Sequence, residues 1–184
     1  MGIGTLGATA GKYYAEFKCT GSDGSREFNM GVCVPHLADT YVYPTQYIGR
    51  AGDSVGITND GSAYINGSAQ GGFTHASFDT NDIIGIALDL DNKKVYFSKN
   101  GTFQNSGDPT SGASGTGALT LPSSTRHYTF GVAAKAGQVQ CNWGNGYFLA
   151  TAVSSPGTNA SNNGIFEYDV PSGYTALSTK GMNL

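Results

Sequence analysis

Alternation of apolar and polar residues with a period of two recurs along the chain and constrains its fold more than any other feature. Segment 12–19, KYYAEFKC, places on one face the side chains of Tyr13, Ala15, Phe17 and Cys19. No window of about a dozen residues has apolar positions at i, i+3, i+4 and i+7, the spacing of an amphipathic helix. The pattern therefore predicts an all-β chain of strands with one buried face.

Turn signals divide the chain into short strands. Segment 82–99, DIIGIALDLDNKKVYFSK, is the clearest hairpin, with its turn at 91–93, and the Asn-Gly pair at 100–101 supplies a second reversal. Two further alternating runs, YTFGVAA and QVQCNW, lie within 128–143. The alternation in the second run predicts that Trp143 belongs to the core. Several short strands with frequent turns and no helix indicate a β-sandwich.

The composition excludes several classes of protein. Glycine accounts for 28 of 184 residues, about double the usual share of about 7%, while charged residues make up 12%. Aromatic residues reach 11%, so the chain has enough bulky side chains to fold. The net charge of -3 gives no basic surface for phosphate contacts, which argues against nucleic-acid binding. No apolar stretch approaches the roughly 18 residues that span a bilayer.

The cysteines give no sign of a disulfide framework or a zinc site. Cys19, Cys33 and Cys141 are an odd number without short spacing. An Asp23-Gly24 turn could join the two flanking strands as a hairpin. If its register places Cys19 opposite Asn29, Cys33 lies opposite Ala15, so that Cys19 and Cys33 are too far apart to form a disulfide. We expect buried free thiols, as in a protein folded in the cytoplasm.

Several segments resemble the SPRY domain family and follow one another in the order typical of that family. The most specific is DTNDIIGIALDLDNKKVYFSKNG, in which an Asp-Ile-Ile-Gly strand leads through an acidic turn into a Phe-x-Lys-Asn-Gly hairpin. The others are GKYYAEF at 11–17, MGVCV at 30–34, YTFGVAA at 128–134, VQCNWG at 139–144 and FEYDVPSGYTAL at 166–177.

This resemblance implies a fold and a division of the chain. The expected fold is a bent antiparallel β-sandwich of two sheets, a concanavalin-like jelly roll, over residues 11–177. Residues 1–10 would be a flexible leader or a lead-in strand, and residues 178–184 a C-terminal tail. The resemblance also implies that the loops at one end of the sandwich bind a partner and that the domain is not catalytic.

The low charge, the loops rich in Gly, Ser, Thr and Asn, and the ending GYTALSTKGMNL look most like SPRY copies in phage tail fibres, adhesins and virion surface proteins. The expected function is thus that of a virion module, folded in the host cytoplasm, that binds a host-surface glycan or protein or a neighbouring virion subunit. Family analogy suggests a trimer. The alternative is a cytoplasmic adaptor of the cellular type that recognises a short peptide.

A third alternative is a lectin-like glycoside hydrolase, which needs two carboxylates flanking the scissile bond. The best spaced pair is Glu167 with Asp169, which the resemblance places on the closing edge strand. GDSVG at 52–56 matches a serine nucleophile elbow at Ser54, but that motif requires a following helix. We therefore expect no catalytic residue, no metal site and no cofactor.

The candidate binding residues lie in the region of least family similarity, between strands that the fold needs. Loops held by a rigid scaffold are where binding groups are usually found, and tyrosine rings offer large, rigid contact areas with a polar tip. The competing interpretation is that these tyrosines cap the core. The candidates are Tyr41, Tyr43, Tyr47, Arg50 and Tyr64.

Overall fold

The two-sheet sandwich expected from the sequence is present in the computed structural model. The structure describes residues 1–21, 27–35, 47–50, 52–123 and 125–183. Strands are the main regular secondary structure of these residues, and short 3-10 turns occur at Gly112–Ser114 and Gly181–Asn183. None of the helices among these residues has the length and apolar character needed to cross a membrane. The protein is an all-β sandwich.

Six strands of the described chain form the first sheet, and all of their pairings are antiparallel. Their spatial order is β1-β11-β3-β4-β5-β6. In chain order they are β1 (Gly2–Ile3), β3 (Glu27–Cys33), β4 (Ser54–Thr58), β5 (Ala63–Ile65), β6 (Ser68–Ala69) and β11 (Thr129–Lys135).

The second sheet has seven strands in the described part of the chain, in the central order β10-β8-β7-β2-β12. In addition, β9 pairs with β8, and β15 pairs in parallel with β2. These strands are β2 (Lys12–Thr20), β7 (Ile83–Asp89), β8 (Lys94–Lys99), β9 (Thr102–Phe103), β10 (Leu119–Thr120), β12 (Gln138–Asn142) and β15 (Thr175–Ala176). A separate hairpin joins β13 (Tyr147–Phe148) to β14 (Thr151–Ala152).

The inner faces of the two sheets share one hydrophobic core. The face of β2 predicted to be apolar points into it, and the ring of Phe17 lies 6.1 Å from the ring of Phe130 on β11. Burying a large apolar side chain contributes about 1.5–3 kcal/mol. The alternation in the sequence therefore identifies the inner face of the central strands.

The predicted local hairpin is confirmed. Strands β7 and β8 pair in register through a turn in which Lys93 has a φ of 59°. Asn100 and Gly101 then adopt φ values of 48° and 82°, and β9 begins at Thr102. Asn-Gly is the pair that tolerates positive φ at both central positions of a hairpin turn.

The conditional pairing of β2 with β3 is wrong, because the two strands belong to different sheets. Strand β2 pairs with β7 and β12, whereas β3 pairs with β11 and β4. The Asp23-Gly24 turn lies outside the described residues. Cys19 and Cys33 are free and buried, as predicted, but the free thiol of Cys141 is only half-buried because β12 is an edge strand.

The central strands of the second sheet are buried on both faces, which the alternation in the sequence does not predict. The closing segment, residues 163–177, lies across its outer face and packs Phe166 edge-on against Tyr14, with ring centroids 5.0 Å apart. Glu16, also on this face, has no exposed surface and accepts hydrogen bonds from the backbone N–H groups of Glu167 (2.7 Å) and Tyr168 (2.9 Å). Burial raises the pKa of Glu16 to about 7.

Trp143 is a rim residue instead of the predicted core residue. Its side chain is 37% exposed, although its ring contacts Phe17 edge-on with centroids 5.4 Å apart. The reason is that β12 ends at Asn142, so the alternation no longer fixes the direction of the next side chain.

Candidate functional site

A row of glycines crosses the outer face of the first sheet. Gly131 of β11, Gly31 of β3 and Gly56 of β4 are opposite one another in the strand register. Ile48 is fully buried over this row. A methyl group on Gly56 would lie 2.3 Å from the Ile48 carbonyl oxygen, and one on Gly131 would lie 2.4 Å from its Cδ1. Gly56 and Gly131 therefore make the space in which Ile48 sits.

Residues 47–50 form a tight turn, hereafter the 47–50 turn, that is fastened to this face. The N–H of Arg50 donates to the carbonyl of Tyr47 at 2.9 Å, and Gly49 has a φ of 93°, as a type II turn requires. The buried side chain of Asn29 accepts from the N–H of Ile48 at 2.6 Å and donates to its carbonyl at 3.0 Å. The backbone of the turn is thus fixed to β3.

The turn brings Arg50 onto the ring of Tyr64, which β5 presents beside Gly56. The guanidinium carbon lies 4.1 Å from the Tyr64 ring centroid and 5.6 Å from that of Tyr47. Nη2 also donates a hydrogen bond of 2.8 Å to the Tyr64 hydroxyl. Arg50 is exposed and both tyrosines are half-buried. Cation–π contacts of this kind contribute about 0.5–1 kcal/mol at exposed sites.

An ion pair contacts the turn at Tyr47. The Tyr47 hydroxyl donates to a carboxylate oxygen of Glu27, and Lys135 Nζ lies 2.9 Å from the other carboxylate oxygen. The hydrogen bond from Tyr47 lowers the pKa of Glu27 and raises the pKa of Tyr47. Glu27 therefore stays ionised and accepts hydrogen bonds from both Tyr47 and Lys135.

Three of the five candidate binding residues meet in this cluster: Tyr47, Arg50 and Tyr64. Tyr41 and Tyr43 lie outside the described residues. Sequence reasoning missed the supporting residues Glu27, Lys135 and Asn29. The Gly at the third position of YIGR is a type II turn signal that could have paired Tyr47 with Arg50. The partners on β3 and β11 have no such local signal, because only the strand register places them opposite one another.

The carboxylates considered for a hydrolase are engaged in holding loops. Glu167 accepts hydrogen bonds from the backbone N–H and the hydroxyl of Ser154. Asp169 accepts from the backbone N–H (2.6 Å) and the hydroxyl (2.8 Å) of Thr158. Both lie in the closing segment before β15 and not on a strand, which corrects the expected placement. Asp169 therefore reinforces the backbone hydrogen bond from the N–H of Val170 to the carbonyl of Thr158.

Ser54, at the centre of GDSVG, is fully buried on β4 and is not a nucleophile elbow. Its hydroxyl accepts a hydrogen bond of 2.9 Å from the N–H of Gly49 and so also fastens the 47–50 turn. Across the described ranges, no three His, Cys, Asp or Glu side chains are grouped so that they could hold a metal ion.

A second surface feature is an open apolar groove of about 600 Å³ between β11 and β12. Val132, Ala134, Val139 and Leu149 contribute to its lining. Leu149 is 76% exposed. The lining side chains that the structure describes are uncharged, so the side chains of the groove offer mainly apolar contact.

Together these features define a class of protein: a two-sheet β-sandwich that holds a cationic and aromatic cluster on the outer face of one sheet. Residues 12–121 match the family model of the SPRY domain. The chain belongs to the SPRY domain family, whose members generally act as protein-binding modules. The fold continues past the matched residues, because β11 and β12 pair with β3 and β2.

A comparison with solved structures supports the same architecture. The chain is similar to the crystal structure of the SPRY domain of human HERC1, with 17% sequence identity and a TM-score of 0.50. The match covers 76% of this chain and 79% of that chain. At this identity the likeness shows the fold alone. A comparison with curated proteins gave no match.

Proposed function

We propose that this chain is a non-catalytic SPRY module that binds a protein partner through the 47–50 turn and Tyr64. The observation that carries the proposal is the exposed Arg50 guanidinium, held on the Tyr64 ring 4.1 Å from its centroid. Tyr and Arg are the residues that most often dominate the energy of protein interfaces. A fixed side chain loses little entropy on binding, so a rigid cluster gives more affinity than a mobile one.

The cluster favours a protein over a glycan as the partner. Sugar rings are bound by stacking on open aromatic faces, and Arg50 already covers one face of Tyr64. The engagement of Glu167 and Asp169 by Ser154 and Thr158 supports the non-catalytic part of the proposal, since both carboxylates already accept hydrogen bonds from the neighbouring loop.

A selection experiment tests this function. Random linear peptides displayed on phage are selected on the purified chain, and their affinities are measured by fluorescence anisotropy for wild type, Tyr64→Ala and Tyr147→Ala. Tyr147 is a matched control because it is 47% exposed and lies outside the cluster. We expect binding to weaken at least about tenfold in Tyr64→Ala only. A selection without enrichment, or binders indifferent to Tyr64→Ala, would overturn the proposal.

The biological setting that we propose is a virion, as a tail-fibre, adhesin or capsid-decoration module, with a host-surface protein or a neighbouring virion subunit as the partner. The support is compositional: charged residues are 12% of the chain and glycine is 28 of 184 residues. Gold-labelled antibody on intact particles tests this setting. Labelling in stoichiometric amounts is expected, whereas particles without label would favour an adaptor of the cellular type.

A further inference from the structure

The Arg50 side chain has hydrogen-bonding capacity that its internal contacts leave unused. A guanidinium carries five N–H donors in a planar fork. Within the described part of the chain, its side chain donates one hydrogen bond, to the Tyr64 hydroxyl. The guanidinium carbon lies over the Tyr64 ring, 4.1 Å from its centroid, and the remaining N–H donors of the side chain have no hydrogen-bond partner among the described residues. An edge of a guanidinium is the group that binds planar, two-oxygen anions through paired hydrogen bonds.

From this geometry we propose that the site recognises a carboxylate of the partner protein, which the Arg50 fork binds through paired hydrogen bonds. The inference rests on the proposed function and specifies the chemistry of its partner. The turn fixes the Arg50 backbone through the Tyr47 carbonyl, and the Tyr64 ring fixes its head group. The fork is therefore in place before the ligand arrives.

The charge of the surroundings favours a carboxylate over a phosphate group. Glu27 lies on the same side of the sheet, and Lys135 pairs with it at 2.9 Å, so these two charges largely cancel. Among the described residues of the cluster, Arg50 is left as the source of about one positive charge. A phosphate group carries about 1.5 to 2 negative charges at neutral pH and requires more cationic neighbours. A single carboxylate matches the charge that the site offers.

The carboxylate has two possible sources in a protein, an Asp or Glu side chain or the C-terminus. The strongest peptide from the phage selection is therefore synthesised with a free and with an amidated C-terminus. In parallel, each Asp of the peptide is changed to Asn and each Glu of the peptide to Gln. Affinities are measured for wild type, Arg50→Lys and Arg50→Ala, with Lys180→Ala as the control. Lys180 is an exposed cation on the C-terminal segment.

We expect removal of one carboxylate to weaken binding to the wild type by about tenfold or more and to leave binding to Arg50→Ala unchanged. Arg50→Lys keeps the charge without the fork and is also expected to bind about tenfold more weakly. Lys180→Ala should match wild type. If binding depends on Tyr64 but on no carboxylate, this inference is overturned while the proposed function stands. If carboxylate removal weakens wild type and Arg50→Ala equally, Arg50 is not its receptor.

Discussion

The Ile48 carbonyl oxygen and Gly56 are in close contact, so that a methyl group on Gly56 would lie 2.3 Å from that oxygen. Backbone therefore faces backbone at this point, and no side-chain rotation can relieve the contact. Because the 47–50 turn carries Tyr47 and Arg50, the absence of a side chain at Gly56 is a condition for the binding cluster.

Gly56→Ala is expected to lower the free energy of unfolding by about 1–3 kcal/mol, because overpacking forces the turn away from β4. Urea denaturation followed by the fluorescence of Trp143, the single tryptophan, measures the change. Gly72→Ala is the matched control, since a methyl group there meets nothing within 4 Å. Equal losses of stability in the two variants would show that the turn does not press on Gly56.

Asn29→Ala is expected to destabilise the protein by about 1–3 kcal/mol through a different mechanism. The variant removes the donor to the Ile48 and Ile57 carbonyls and the acceptor for the Ile48 N–H. These buried backbone groups would lose a partner without gaining water. The same denaturation experiment applies, with exposed Asn145→Ala as the control. A variant as stable as its control would contradict the role given to Asn29.

Stability should fall as the pH rises from about 4.5 to about 7 because of Glu16. The raised pKa of about 7 means that the folded protein holds the Glu16 proton across this window, while the unfolded chain, with a pKa near 4.5, releases it. The stabilisation is complete below the lower value and is lost above the higher one. The difference amounts to roughly 3 kcal/mol.

Chemical denaturation across this pH range measures the effect, and Glu16→Gln provides the comparison. The variant cannot titrate, so its stability should change much less between about pH 4.5 and about pH 7. It should also be less stable than wild type at low pH by about 1–3 kcal/mol, because the amide NH2 replaces one carboxyl oxygen and cannot accept a hydrogen bond from the N–H of either Glu167 or Tyr168, whichever it faces. If the stabilities of wild type and Glu16→Gln changed equally with pH, Glu16 would be ruled out as the titrating group.

Tyr64→Phe separates stacking from hydrogen bonding in the cluster. The phenyl ring keeps the face on which Arg50 lies, and only the 2.8 Å hydrogen bond to the hydroxyl is lost. We expect peptide affinity to fall a few-fold in Tyr64→Phe and about tenfold or more in Tyr64→Ala. Fluorescence anisotropy with the selected peptide measures both. Similar losses would assign the effect to the hydroxyl and not to the stack.

Local features of the chain were predictable from the sequence. The β7–β8 hairpin follows from alternation on both sides of a turn that tolerates positive φ, and all of its information lies in adjacent residues. The inner face of β2 is predictable for the same reason. Burial of Glu16 was not, because the segment that covers it contacts it across 151 residues, at Glu167. No local pattern encodes that contact.

The candidate site was predictable only in part, because some of its contacts join neighbouring residues and others join residues far apart in the chain. Tyr47 and Arg50 are three residues apart with a glycine between them, so a turn brings them together. Their contact with Tyr64 depends on the glycine row that admits the turn onto the sheet. That row forms only when Gly31 and Gly56 align in the strand register, which the sequence alone does not specify.

The most direct test of the account is to map where the selected peptide binds on the intact domain. Amide chemical shifts recorded by NMR during a titration with the peptide report this for each backbone N–H. If the peptide binds to the cluster, the largest changes are at residues 47–50, at Gly56 and at Tyr64. Changes centred on the apolar groove at Val139 and Leu149, with the 47–50 turn unaffected, would contradict it.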